Sequence, residues 1–231
     1  AAFYLALAGR AIPTERAFIM VAVMLVAVLL DRRALSLRSV AMAAVIVLML
    51  RPESLLNPGF QMSFSAVVAL VFAFGALPYA GADQRLWMRV VMPVVLLLFS
   101  SFVAGTATAP FAAAHFNRVA HFGMIANLLA VPIMGMMVMP GAVILAVLGP
   151  LGLEQPALWM IETGSWWILR VAETVSGWDG SVSAVPKPPA LVLPVMALGG
   201  CFFVLWKGWG RWLGVAPVAA SLVLWTGASR P

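Results

Sequence analysis

Long stretches of this chain carry no charge. No Asp, Glu, Lys or Arg occurs between Ser54 and Ala82, between Val90 and Asn117, or between Val119 and Leu153. A helix needs about 20 apolar residues to cross the hydrocarbon core of a bilayer. Several of these runs reach that length. Only 10% of the residues are charged, against roughly a quarter in a soluble domain. The chain therefore reads as an all-α, polytopic integral membrane bundle of about six to eight spans.

Spans are predicted at 17–37, 39–52, 59–80, 90–113 and 119–150, with two more at 190–206 and 212–227. The first two have short uncharged cores, bounded by Arg16 and Asp31 and then by Arg38 and Arg51. Arginines at helix ends snorkel to the interface, so short cores still span; one of the two is alternatively re-entrant. The opening AAFYLALAG, without initiator Met or charged leader, reads as the tail of an earlier span in a larger protein. The single Cys201 excludes an internal disulfide framework. The net charge of +6 has its first explanation in topology, since Lys and Arg collect in loops and set orientation. Arg32, Arg33 and Arg38 lie in one such loop and Arg85 and Arg89 in another, but arginines on the other side make the bias small.

The 119–153 run would extend about 50 Å as one straight helix. It contains Pro132, Gly135 and Pro140, so a helix break is expected there. Broken helices are tolerated where freed backbone groups are buried in protein or line a wet cavity, and they are pointers to transport sites. The alternative is an ordinary kinked span followed by a short one. Residues 155–176 differ: Gln155, Glu162, Arg170 and Glu173 fall on one side at helical spacing, and Met160, Trp167, Ile168, Val171 and Val175 on the other. This predicts an amphipathic helix, either anchored in the headgroup region or lining a wet vestibule. SAVPKPPA, 183–190, is a proline-rich linker.

Motifs for hydrolysis or nucleotide binding are absent: no HExxH, GxSxG or GxxxxGK[ST] occurs. His115 and His121, six residues apart, fall on different faces of a helix, which argues against a shared metal. No metal or cofactor is expected and no catalytic residue is assigned. The apolar cores hold no carboxylate, which argues against proton-driven transport.

What remains is polar and uncharged. In LNPGFQMSFSAVVAL, 56–70, Asn57 and Pro58 form a helix-entry signal. Gln61 and Ser65 share a face and Ser63 points elsewhere. An amide in a membrane helix needs a partner or water, so Gln61 either bonds a neighbouring helix or lines a polar path. Ser101, Gly105 and Ala109 make a small-xxx-small ridge, a close-packing surface; a pore-facing hydroxyl row with Thr106 and Thr108 is the alternative. Asn127, one turn after Gly123, lies deep in an apolar run just before Pro132. It either ties a broken helix together or contacts substrate.

RPESLLNPGFQMSFSAVVAL, followed by TATAPFAAAHFNRVAHFGMIANLLAVPIMGMMVMPGAV, resembles the central membrane domain of the ComEC-type competence family. The likeness covers about residues 10–150 and continues more loosely into PKPPALVLPVMALGGCFFVLW. It implies a single competence-type membrane domain over 1–231, in a bacterial inner membrane, carrying single-stranded DNA into the cytoplasm. It also implies other competence proteins as partners, a DNA receptor and a cytosolic translocation ATPase, and leaves a homo-oligomer open. The family's soluble N-terminal domain and metallo-β-lactamase-like domain would lie outside this stretch, and any nuclease activity with them. A DNA strand carries one negative charge per nucleotide, which suits a polar or basic path with aromatic surfaces. Candidates for the path are Gln61, Ser63, Ser65, Thr106, Thr108 and Asn127. Candidates for a phosphate funnel at its mouths are Arg51, Arg85, Arg89 and Arg118. The competing readings are a secondary transporter for a small solute and an intramembrane enzyme using His115, His121 and Glu162.

Overall fold

A computed structural model describes residues 18–19, 21–22, 36–77 and 86–228, with the side chains of 86–90, 151 and 228 excepted. The chain is mostly helical: α1 (Leu37–Leu50), α2 (Pro58–Ala76), α3 (Leu86–Phe116), α4 (Gly123–Ile133), α5 (Met139–Leu148), α6 (Gln155–Ser176), α7 (Val192–Leu205) and α8 (Val215–Ala228). Two three-residue strands, β1 (Arg118–Ala120) and β2 (Val182–Ala184), pair antiparallel with Arg118 opposite Ala184 and Ala120 opposite Val182. This ribbon departs from an all-α expectation for a local reason. Asn117 takes φ 55°, a left-handed conformation that stops α3, and the chain leaves it extended.

Among the described residues, three helical runs are long and apolar enough to cross a membrane: Pro58–Ala76, Val91–Phe116 and Gly123–Leu148. Few of their residues are fully buried within the chain, so much of their apolar surface stays uncovered. That is the arrangement of a membrane protein. Three falls short of the six to eight spans expected. α1, α7 and α8, with 14 residues each, reach only about 21 Å, and the expected 17–37 span lies mostly outside the described residues.

The chain divides into two compact units. The first holds residues 1–80, 106–117 and 185–231. In it, Val40, Ala43 and Val47 of α1 pack with Phe60 and Phe64 of α2, whose rings lie 4.4 Å apart. Pro52 ends α1 by forcing Arg51 out of the helical region (φ −145°, ψ 83°). Farther along, α7 and α8 form a tight hairpin. A Cβ on Gly199 would lie 2.8 Å from the Gly214 carbonyl oxygen, so only glycine allows the backbones to meet so closely. The proline-rich linker is pinned to this hairpin by the Trp225 indole N–H, which donates to the Pro186 carbonyl at 2.8 Å.

The second unit holds residues 81–105 and 118–184. The chain stays helical from Gly123 to Leu148, with one π turn at Met134–Val138. The candidate break at Pro132, Gly135 and Pro140 falls at this π turn, where the α-helical hydrogen bonding is interrupted while the chain stays helical. Pro132 sits inside α4 and Pro140 in the first turn of α5. A proline ring clashes with the carbonyl four residues earlier, and a π turn widens the backbone at that place. The Met139 N–H reaches back five residues to the Met134 carbonyl, so the run bends its hydrogen bonding without opening.

Candidate functional site

Polar side chains gather at the entry to α2. Asn57 caps it, its Oδ1 accepting from the Gly59 N–H at 2.9 Å, and Pro58 fills the first turn, where its missing N–H costs nothing. Gln61 is thereby held one turn in. Its Nε2 donates to the Leu55 carbonyl at 3.0 Å, and its Oε1 lies 2.8 Å from His115 Nε2 at the end of α3. Only the amide nitrogen can donate to a carbonyl, so Oε1 faces the imidazole and His115 Nε2 carries the hydrogen. The exposed ring then presents Nδ1 outward. Gln61 therefore bonds a neighbouring helix, and the polar group at the surface of this cluster is His115.

The other expected path residues are scattered. Ser65 Oγ donates to Met62 O in its own helix at 3.0 Å, and Ser63 is half-buried. Thr106 is exposed and Thr108 half-buried. A Cβ added to Gly105 would have no heavy atom within 4 Å. On the same ridge, Ser101 and Ala109 are half-buried and Gly105 is exposed. Asn127 is exposed on α4 and ties no break, because the helix there is unbroken. Arg51 is half-buried at the end of α1, and Arg118 is exposed on β1. Arg85 lies outside the described residues, and the side chain of Arg89 does too. His121 is bonded within the ribbon, its Nε2 2.7 Å from Ser183 Oγ. Among the described residues, no group of three His, Cys, Asp or Glu side chains could hold a metal.

The second polar surface lies on α6, which packs lengthwise and antiparallel along α4, the π turn and α5. A Cβ on Gly164 would stand 2.7 Å from Val138 Cγ2 and 3.2 Å from Met137 Cβ. Gly141 of α5 sits as closely against Ile161 and Met160. The Trp167 indole N–H donates to the Leu129 carbonyl at 3.1 Å, beside the residue whose carbonyl loses its donor to Pro132. Ala157, Gly164, Val171 and Val175 make the buried face. Gln155, Trp159, Glu162, Trp166, Arg170 and Glu173 form the opposite, exposed stripe. Trp159 and Trp166 are 63% and 59% exposed, and Arg170 reaches Glu173 at 3.4 Å.

This packing sets charge beside a run that is long and apolar enough to cross a membrane. Where that run spans, α6 lies at its depth. Its 22 residues extend about 33 Å, comparable to the hydrocarbon core. Gly164 meets the middle of that run. Glu162 is displaced from Gly164 by about 3 Å along the axis and Arg170 by about 9 Å. Charged groups at such depth cost about 2.5–3.5 kcal/mol each on insertion scales unless they face water or protein. Sequence reading counted only long apolar cores and found them free of carboxylates; α6 supplies one from a helix too amphipathic to be counted.

The chain matches a family described as Competence protein over residues 1–210. It is similar to ComE operon protein 3 of Bacillus subtilis (strain 168), with 26% identity over 140 residues. The aligned part covers 61% of this chain and 17% of that protein. No solved structure matches.

Proposed function

The chain belongs to the competence protein family, and on that premise we propose that it forms the core of a channel carrying single-stranded DNA across the bacterial inner membrane during natural transformation. The match over residues 1–210 carries this reading. The α6 stripe supports it physically. Trp159 and Trp166 offer faces on which bases stack, worth about 1–3 kcal/mol per base in single-strand binders. Arg170 offers a positive charge beside them. Ser63, Thr106, Thr108 and Asn127 belong to the same proposal as polar groups, and Arg51 and Arg118 as basic ones. A multi-pass topology, a DNA receptor, a cytosolic translocation ATPase and a homo-oligomeric assembly are part of it, and the nuclease step is assigned outside residues 1–231.

The test uses the complete gene in a naturally transformable host. Labelled duplex DNA is followed into surface-bound, DNase-protected and cytosolic fractions, in the deletion strain and after complementation. DNA that stalls before the cytosol in the deletion strain is the expected result. Normal cytosolic delivery without the gene would overturn the channel assignment.

A further inference from the structure

The turn between α7 and α8 reads Trp206-Lys207-Gly208-Trp209-Gly210-Arg211-Trp212, and among the described residues no carboxylate pairs with Arg211 in it. The Arg211 Cζ lies 4.5 Å from the centre of the Phe203 ring and 5.1 Å from that of Phe72. Its Nε is buried and, among the described residues, has no hydrogen-bond partner. A charged donor normally finds an acceptor when it leaves water. Here two aromatic faces orient the guanidinium plane, and no carboxylate accompanies it among the described residues.

The place is the end of a hydrophobic segment. Phe72 is in the second-last turn of α2, and Phe203 is in the last turn of α7. Both helices point their carbonyl ends toward Arg211, which favours a cation there but supplies no ligand. Around it, Trp209 is 91% exposed and Trp206, Trp212 and Lys207 are also exposed. Below it, Leu198 and Leu205 form an exposed apolar strip on α7. Tryptophans with Lys and Arg at the end of an apolar helix are the composition of the membrane–water boundary.

From this we propose that the 206–212 turn binds the headgroup of an anionic phospholipid, with the phosphodiester on Arg211, Lys207 adding a second positive charge, and an acyl chain along Leu198 and Leu205. The site is independent of any DNA path. A basic, aromatic turn also suits single-stranded nucleic acid, but two of the three rings are already engaged. Trp206 stacks on Phe202 (4.7 Å, 15°) and Trp212 sets its ring edge-on to Phe203 (5.6 Å, 72°). The apolar strip leading to the turn has no use for a polynucleotide.

The experiment is native mass spectrometry of the full chain released from nanodiscs of equal phosphatidylglycerol and phosphatidylcholine. The wild type is expected to retain phosphatidylglycerol preferentially. Arg211→Gln should reduce that preference on the order of fivefold, the effect of one interfacial cation. Lys207→Gln, at an exposed position that does not threaten folding, should reduce it less. Equal retention of both lipids by the wild type, or an unchanged preference in both variants, would overturn the proposal. So would displacement of the lipid by millimolar inorganic phosphate, which would make this a free-anion site. Displacement by an oligo-dT, with the same Arg211 dependence in pure phosphatidylcholine discs, would assign the turn to nucleic acid instead.

Discussion

Gln61 and His115 are separated by 54 residues, yet one 2.8 Å contact joins them. Replacing Gln61 with Leu leaves the Leu55 carbonyl and the imidazole without that amide, at a cost of about 1–3 kcal/mol. A double-mutant cycle of Gln61→Leu and His115→Leu in detergent should give a coupling energy of about 1 kcal/mol; additive losses would mean that the contact contributes nothing. Gly214 is the sharper case. A Cβ there would lie 2.6 Å from the Gly199 carbonyl oxygen and 2.7 Å from the Phe203 nitrogen, and backbone atoms cannot swing aside. Gly214→Ala should destabilise the chain by about 1–3 kcal/mol, while Gly200→Ala, which meets nothing within 4 Å, should leave the thermal midpoint within a degree or so of wild type. Neither contact shows in the residues that make it: an amide, an imidazole and a glycine look alike in sequence whether bonded to a partner or to water.

At the scale of elements, α6 decides most about function. Its periodicity is legible in part: Gln155, Glu162, Arg170 and Glu173 are exposed and Val171 and Val175 are buried, while Trp167, placed on the apolar side by spacing, is exposed. Its depth is not legible, because amphipathicity says which side is polar and not whether the helix lies on or in the membrane. If the stripe faces water at bilayer depth, Glu162→Cys in a Cys201→Ser background should react with a charged maleimide in intact membranes. Val143→Cys, 64% exposed on α5 in a wholly apolar run, should not. Equal protection of both positions would put the stripe against protein instead of water. Gly164→Leu should push α6 off the π turn, destabilise the chain by about 2 kcal/mol and raise the accessibility of Trp167.

On the scale of the molecule, the first unit carries its own topology signal. α2 begins at the Asn57 cap and ends near Arg211, so the 52–56 turn and the 206–212 turn lie at opposite ends of one apolar helix of 19 residues, about 28 Å long. Glu53→Cys and Lys207→Cys, again without Cys201, should therefore label from opposite sides of sealed vesicles. Labelling from the same side would mean that α2 does not cross. The same protein should fail to deliver DNA to the cytosol when Trp159 and Trp166 are both replaced by Leu, while still inserting. Undiminished delivery would remove those rings from the path.

The amino-acid order by itself determined that this chain folds as helices in a membrane. Apolar runs longer than a hydrocarbon core have no soluble solution, and Asn57-Pro58 at the head of one run and Asn117 at the tail of another mark where helices start and stop. Those are local properties, set by side-chain hydropathy and backbone sterics within a few residues. Only the tertiary structure decided that the run through Pro132 and Pro140 passes through a π turn, that Gln61 is held by His115, that Arg211 rests between two phenylalanines, and that Glu162 lies on a helix packed along the 123–148 run. Each depends on which helix lies against which. In a chain where almost every face is apolar, hydropathy cannot choose among neighbours; close glycine contacts and a handful of hydrogen bonds do.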